Sequence, residues 1–186
     1  MIKKLKEIAT IKSGVFAKSG ANISVYYVQS NDFDQNHHWK ENLLPQLGLD
    51  YKLEKHFLSI GDVLFASKGH NRFAVVYDGV YSPAVASTTF LKIIADKSKV
   101  LPHYIVWYLN HPVTKKIISG MVRGSGIPSI SKSALSEMEI IVPSLEKQSI
   151  VVKANELQHS EEILINEIGR LRQLMINEQL YKSLLK

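Results

Sequence analysis

In the hexapeptide SKGHNR, residues 67 to 72, the side chains of Lys68, His70, Asn71 and Arg72 are crowded into one polar run between two apolar ones. Arginine and asparagine can pair two-pronged with the edges of guanine and adenine, and lysine and serine hold phosphate. A β-turn in which Gly69 supplies a positive φ and the polar groups meet only water accounts for the same residues equally well. A second cluster, GSGIPSISKSAL at residues 124 to 135, follows Arg123 and carries Ser125 and Lys132. Its glycines and serines can present backbone N–H groups and hydroxyls to a polyanion, or they can turn a corner. A third, residues 12 to 32, interleaves Lys12, Lys18, Asn22, Gln29 and Asn31 with aromatics and holds no acid before Asp32. Tyr26 and Tyr27 are adjacent there, so in a strand one faces the core and the other faces away.

The charge balance favours an acidic partner. Of the net charge of +6, all belongs to residues 1 to 143, which hold 17 Lys+Arg against 11 Asp+Glu; residues 144 to 186 hold 6 of each. No carboxylate occurs from Lys97 through Ser136, whereas Lys97, Lys99, Lys115, Lys116, Arg123 and Lys132 all fall in that window. Such a stretch is either the electrostatic footprint for a phosphate backbone or a solvated basic face.

Catalytic chemistry has little to stand on. There is no G-x-x-x-x-G-K-[ST] loop, and Gly124-Ser125-Gly126 is only a fragment of a nucleotide fingerprint. A methyltransferase would need a cofactor-binding glycine motif and an N-P-P-Y-like or P-C loop, both missing. His37, His38, His56, His70, His103 and His111 lack zinc spacing, and the chain has no cysteine. Asp50-Tyr51-Lys52 mimics the tail of a nuclease metal signature without its upstream acid. The expectation is therefore a binding protein with no catalytic residue, no metal and no cofactor. With no cysteine, no signal-peptide core and no apolar run of about 18 residues, the expected location is the cytoplasm, away from membranes.

Positioning these clusters requires a mixed α/β body. Strands are expected at ISVYYVQ (23 to 29), DVLFA (62 to 66), FAVVY (73 to 77) and TTFLKII (88 to 94), each rich in β-branched or aromatic residues. Asp78-Gly79 is a turn signal that would lead FAVVY into a hairpin with VYSPAVAS. PHYIVWYLN (102 to 110) reads as a helix opened by its proline, VTKKIIS as a second, and MEIIVP (138 to 143) as a last strand. From Ser144 onward the chain has no proline and one glycine, which predicts one helix of about 65 Å at ~1.5 Å per residue. Leu157, Leu164, Ile168, Leu171 and Met175 form a four-three stripe along it, broadened by Ile163, Ile165 and Leu174. The stripe suits an antiparallel coiled-coil-like arm, a multi-helix contact or a return onto its own domain.

The order LKEIATIKSG, GDVLFASKG, YIVWYLN and GSGIPSISKSALSEMEIIVPSLEKQ, followed by a long helix, resembles one half of the specificity subunit of type I restriction-modification enzymes. The resemblance spans nearly the whole chain, and its most specific part is the G-S-x-x-P-x-I-S loop, the I-x-I-V-P strand and the P-x-L-E-x-Q entry to the helix. It implies an α+β fold: a target recognition domain over residues 1 to 143, gripping one half of a bipartite double-stranded DNA site, and a spacer helix over 144 to 186. That helix docks methyltransferase subunits, with a restriction subunit as a further partner. By this resemblance Gly61-Asp62 opens a core strand, Gly124 to Leu135 forms the signature loop, and Leu145-Glu146-Gln148 starts the spacer. A typical specificity subunit carries two recognition domains and two helices, and this sequence carries one of each. A half subunit, or half of a longer chain, is the expectation, and two-fold pairing of identical antiparallel helices would cover the stripe. Two other classes fit the residues: an assembly module that uses only the helix, and the recognition fragment of a fused restriction-methyltransferase.

Overall fold

The computed structural model describes residues 1–18, 22–69, 71–122 and 128–184. It divides into two compact units, Met1–Gln148 and Ser149–Lys186. In chain order the elements are β1 (Ile2–Lys4), a 3-10 turn (Leu5–Glu7), β2 (Ala9–Ser13), β3 (Ile23–Val28), a second 3-10 turn (Ser30–Asp32), β4 (Leu47–Gly48) and α1 (Tyr51–Glu54). Then follow β5 (Val63–Ala66), β6 (Ala74–Val76), β7 (Ala84–Ala86), β8 (Phe90–Ala95), α2 (Pro102–Asn110), α3 (Pro112–Gly120), α4 (Lys132–Glu137), β9 (Glu139–Ile141) and α5 (Leu145–Ser183). This is the expected α+β class, with a mixed body and a long C-terminal helix.

The body is organised by an antiparallel sheet in the order β2-β8-β5-β6. Lys12, Lys92, Leu64 and Val75 are successive cross-strand partners and therefore share one face, while Phe65 pairs with Leu91 and Ala74 on the other. The first face packs through Leu64, Ala66, Val75 and Phe90 onto Val28, Phe33, Ala84 and Ala86. Burying residues such as Phe90, Leu64 and Val28 supplies about 1.5–3 kcal/mol each. A smaller sheet, β4-β3-β7, joins antiparallel β3/β4 to parallel β3/β7. Gly14 links the two sheets: a Cβ there would lie 2.0 Å from the Ser87 carbonyl oxygen, so only glycine lets the chain pass.

The Asp78-Gly79 turn forms, with Asp78 Oδ1 accepting from Val80 N–H at 3.0 Å and Gly79 at φ +86. The hairpin expected from it does not, because β7 pairs in parallel with β3 instead. Ala84 and Ala86 face one apolar cluster and Val85 the other, and a strand buried on both sides belongs between layers. The edge of β6 is closed by a side chain: Ala74 N–H donates to Asn110 Oδ1 at 2.9 Å and Asn110 Nδ2 donates to the Ala74 carbonyl at 2.8 Å.

The second half of the expected 124–135 loop is ordered structure. Ser131 caps α4, its Oγ accepting from Ala134 N–H at 3.1 Å, and Leu135 is fully buried. Glu137 at the end of α4 is held by Lys4 at 2.7 Å and by Lys6, tying it to the N-terminal strand region. β9 then pairs with β1, and Ser144 Oγ meets Lys147 N–H at 3.4 Å at the start of α5. Gln148, fully buried, accepts from Leu101 N–H at 2.9 Å and donates to the carbonyls of Lys99 at 3.0 Å and Pro143 at 2.9 Å.

Candidate nucleic-acid interface

The structure joins two clusters that lie far apart in sequence. Lys68 bridges Ser129 in antiparallel fashion, with Gly69 N–H donating to the Pro128 carbonyl at 3.0 Å and Ile130 N–H to the Ser67 carbonyl at 2.9 Å. The β5–β6 loop and the segment entering α4 thus form one short ladder. Gly69, at φ +93, makes the reversal a substituted residue would resist. Ser67 is not available to a ligand: it is buried, and its Oγ donates to the Thr89 carbonyl at 3.2 Å.

Around this ladder the expected residues take different stations. Lys68 and Asn71 are exposed, Arg72 is half-buried, and Lys132 is exposed at the start of α4. His70, Arg123 and Ser125 lie outside the described residues, as do Gly124, Gly126 and Ile127. Arg72 lines a cavity of about 160 Å3 with Asn71, Lys115 and Ser119, over an apolar base of Phe65, Leu109 and Ile118. The Arg72 Nε itself is buried, with no hydrogen-bond partner among the described residues. Lys115 reaches the cavity from α3, one turn from Ile118 and Ser119. Nearby, burial foremost and then the Lys115 charge push the His37 imidazole below its usual range, and its ring stacks on Phe73 at 4.6 Å.

Lys12 and Lys18 are exposed in and after β2. Lys12 belongs to the opposite face of the main sheet from Phe65, and there it lines a small cleft with Lys55, His56 and Lys92. Burial first, and then Lys55, Lys92 and Lys12, hold the His56 imidazole below its usual range. Lys92 is already engaged, 3.1 Å from Asp62 and donating to the Phe57 carbonyl at 3.0 Å. Asp62 also accepts from Ser59 N–H at 2.9 Å, so Gly61-Asp62 opens β5 through a buried ion pair. The basic groups therefore form two sets on opposite sheet faces; Lys115 belongs to the acid-free window of the sequence, whereas Lys55, His56 and Lys92 carry no sequence signal for a shared site. Cross-strand register, invisible before pairing is known, groups Lys12 with Lys92, while Lys115 comes from α3.

In the second unit the stripe residues Leu157, Leu164, Ile168, Leu171 and Met175 are between 47% and 71% exposed. Ile163, Ile165 and Leu174 are exposed beside them. Ion pairs along this helix, Arg170 with Glu167 at 2.6 Å and Lys182 with Glu178 at 2.7 Å, are local ones. Among the described residues no cluster of three or more His, Cys, Asp or Glu side chains could hold a metal ion, and no helix is long and apolar enough to cross a membrane.

Known proteins share this architecture. The chain is 29% identical over 105 residues to the putative type I restriction enzyme MjaX specificity subunit of Methanocaldococcus jannaschii, a match covering 54% of this chain and 25% of the relative. Its fold resembles the HsdS subunit of Thermoanaerobacter tengcongensis (TM-score 0.63, 18% identity, 92% of this chain and 44% of that one). It also resembles the type I restriction-modification S subunit of M. genitalium (TM-score 0.53, 13% identity, 89% and 40%). The chain thus spans a quarter of the length of the curated relative and about two-fifths of the solved subunits. The profile of the type I restriction modification DNA specificity domain matches residues 1–168, taking in the main sheet, the laced loops and the first part of α5, and the chain belongs to that family.

Proposed function

We propose that residues 1 to 143 form a target recognition domain that binds one half of a bipartite duplex site, without catalytic activity of its own. The observations that support this reading are the lacing of the β5–β6 loop, through Lys68, to residues 128–130, and the meeting of Asn71 and Arg72 of that loop with Lys115, which belongs to the stretch from Lys97 to Ser136 that lacks any carboxylate. Asn71 is the candidate for base edges, and Lys12, Lys18, Lys68, Arg72 and Lys132 for phosphates. His70, Arg123 and Ser125 are candidates from the sequence that lie outside the described residues. The helix over 144 to 186 serves as spacer, pairs antiparallel with a second copy through its exposed stripe, and docks modification and restriction subunits in the cytoplasm. The exposed Leu157-to-Met175 stripe supports this, since isolated apolar rows of that length are commonly interaction surfaces.

Duplexes selected from a random pool with the modification subunit present, followed by salt titration of the chain alone, test the reading. The expected result is an enriched half-site motif and an affinity that falls steeply with salt. Absence of duplex binding at low salt would leave only an assembly role for the helix. Sedimentation at micromolar concentration is expected to show a dimer, and a monomer would remove the pairing.

A further inference from the structure

The cavity under the β5–β6 loop is cationic without an anion. Its volume of about 160 Å3 corresponds to roughly five water molecules at ~30 Å3 each, room for a tetrahedral oxyanion. Arg72, one of the lining residues, brings a guanidinium whose planar fork of N–H donors matches an oxyanion. Lys115 adds a second positive charge, Asn71 and Ser119 line the same cavity, and among the described residues no carboxylate is in its walls. The Ser119 hydroxyl already donates to the Lys115 carbonyl at 2.8 Å, which leaves the cations as the donors that matter. Phe65 and Ile118 line the base and lower the local dielectric, which strengthens attraction for a charged guest. The cluster on the opposite sheet face does not compete: its cleft of about 10 Å3 holds no more than a water, and Asp62 already neutralises Lys92.

We infer that this cavity seats one phosphate group of a bound duplex, held between Arg72 and Lys115. The inference rests on the DNA-recognition reading for the source of the phosphate and on the cavity alone for its chemistry. Lys115 is the informative position, because it is half-buried on an outer helix and its removal does not open the core.

The full chain, its Lys115→Met variant and its Lys115→Arg variant are compared in two assays. In the first, duplex affinity is followed from about 50 to about 200 mM salt. Losing one phosphate contact lowers the slope of log affinity against log salt by about 0.9, so Lys115→Met loses roughly 3.5-fold less affinity across that range than the parent. The same change is expected on selected and on random duplexes, and Lys115→Arg keeps the parental slope. In the second, thermal unfolding is followed with inorganic phosphate against chloride at matched ionic strength. The parent is stabilised by phosphate and Lys115→Met is not. An unchanged slope in Lys115→Met overturns the duplex as the source, even where inorganic phosphate still stabilises the parent. Lack of any phosphate effect in the parent, together with an unchanged slope, overturns the site. Failure of the parent to bind duplex at all would instead reject the recognition reading, and the phosphate assay would then decide the cavity by itself.

Discussion

Replacing Gln148 by leucine should weaken the recognition domain by about 3 kcal/mol. The side chain is fully buried and makes three hydrogen bonds of 2.9, 3.0 and 2.9 Å with the backbone of Leu101, Lys99 and Pro143. Leucine is close in size and leaves no large cavity, so the cost lies in the polar groups left behind. The Leu101 N–H loses its acceptor in a dry site, at about 1–3 kcal/mol, and each carbonyl loses a bond with a net worth of about 1 kcal/mol. For a chain of this length 1 kcal/mol moves the unfolding midpoint by roughly 2–4 °C, so calorimetry should record a fall of about 6–12 °C. Gln148→Glu provides the control. Its oxygen still accepts from Leu101 N–H, but the other oxygen faces two carbonyls and is tolerated there only when protonated. The folded state then holds its proton more tightly than the unfolded chain does, with an unfolded carboxyl near 4.3 as reference. The variant must lose stability as pH rises through and above that value, by the linkage relation. A midpoint shift under about 2 °C for Gln148→Leu, or a pH-independent Gln148→Glu, would refute the view that this amide clamps the helix entry to the body.

Other perturbations have equally definite outcomes. Gly14→Ala places a methyl group 2.0 Å from the Ser87 carbonyl oxygen, so the crossing between sheets must shift; a loss of roughly 2–4 kcal/mol in urea unfolding is expected. Glu137 is held at about 2 by hydrogen bonds from Lys4 and Lys6, which means its contribution is present above the unfolded value of 4.5 and lost as pH falls toward 2. Acid unfolding of Glu137→Gln should therefore be less steep between those limits. A paired Ile168→Glu and Leu171→Glu change on the exposed stripe should turn the expected dimer into a monomer in sedimentation while leaving the midpoint of the Met1–Gln148 unit within about 1 °C.

The elements whose signals are local were readable in the sequence. Alternating β-branched residues marked β3, β5, β6 and β8, Pro102 marked the start of α2, and the absence of proline after Pro143 marked α5. β1 and β2 give no local signal because MIKKLKEIATIKSG carries a lysine or glutamate every few residues, and their pairing with β9 and β8 is non-local. α4 was read as loop because Gly124, Ser125, Gly126 and Pro128 dominate the composition of the segment, whereas Ser131 starts a capped helix only three residues later. The site was legible as a list of cations and not as an arrangement. Lys115 meets Arg72 only because α3 and the β5–β6 loop line one cavity, and Lys12 is set apart from both by strand alternation, which needs the register before it can be applied.

The hydrogen-bonded stitch between Ser67–Gly69 and Pro128–Ile130 makes these segments a single heritable unit. Grafting a foreign β5–β6 loop while keeping the native stretch before α4 would mismatch three consecutive backbone positions and tilt whatever the new loop displays. Exchange of one piece would therefore have to move both together to keep the displayed side chains in place.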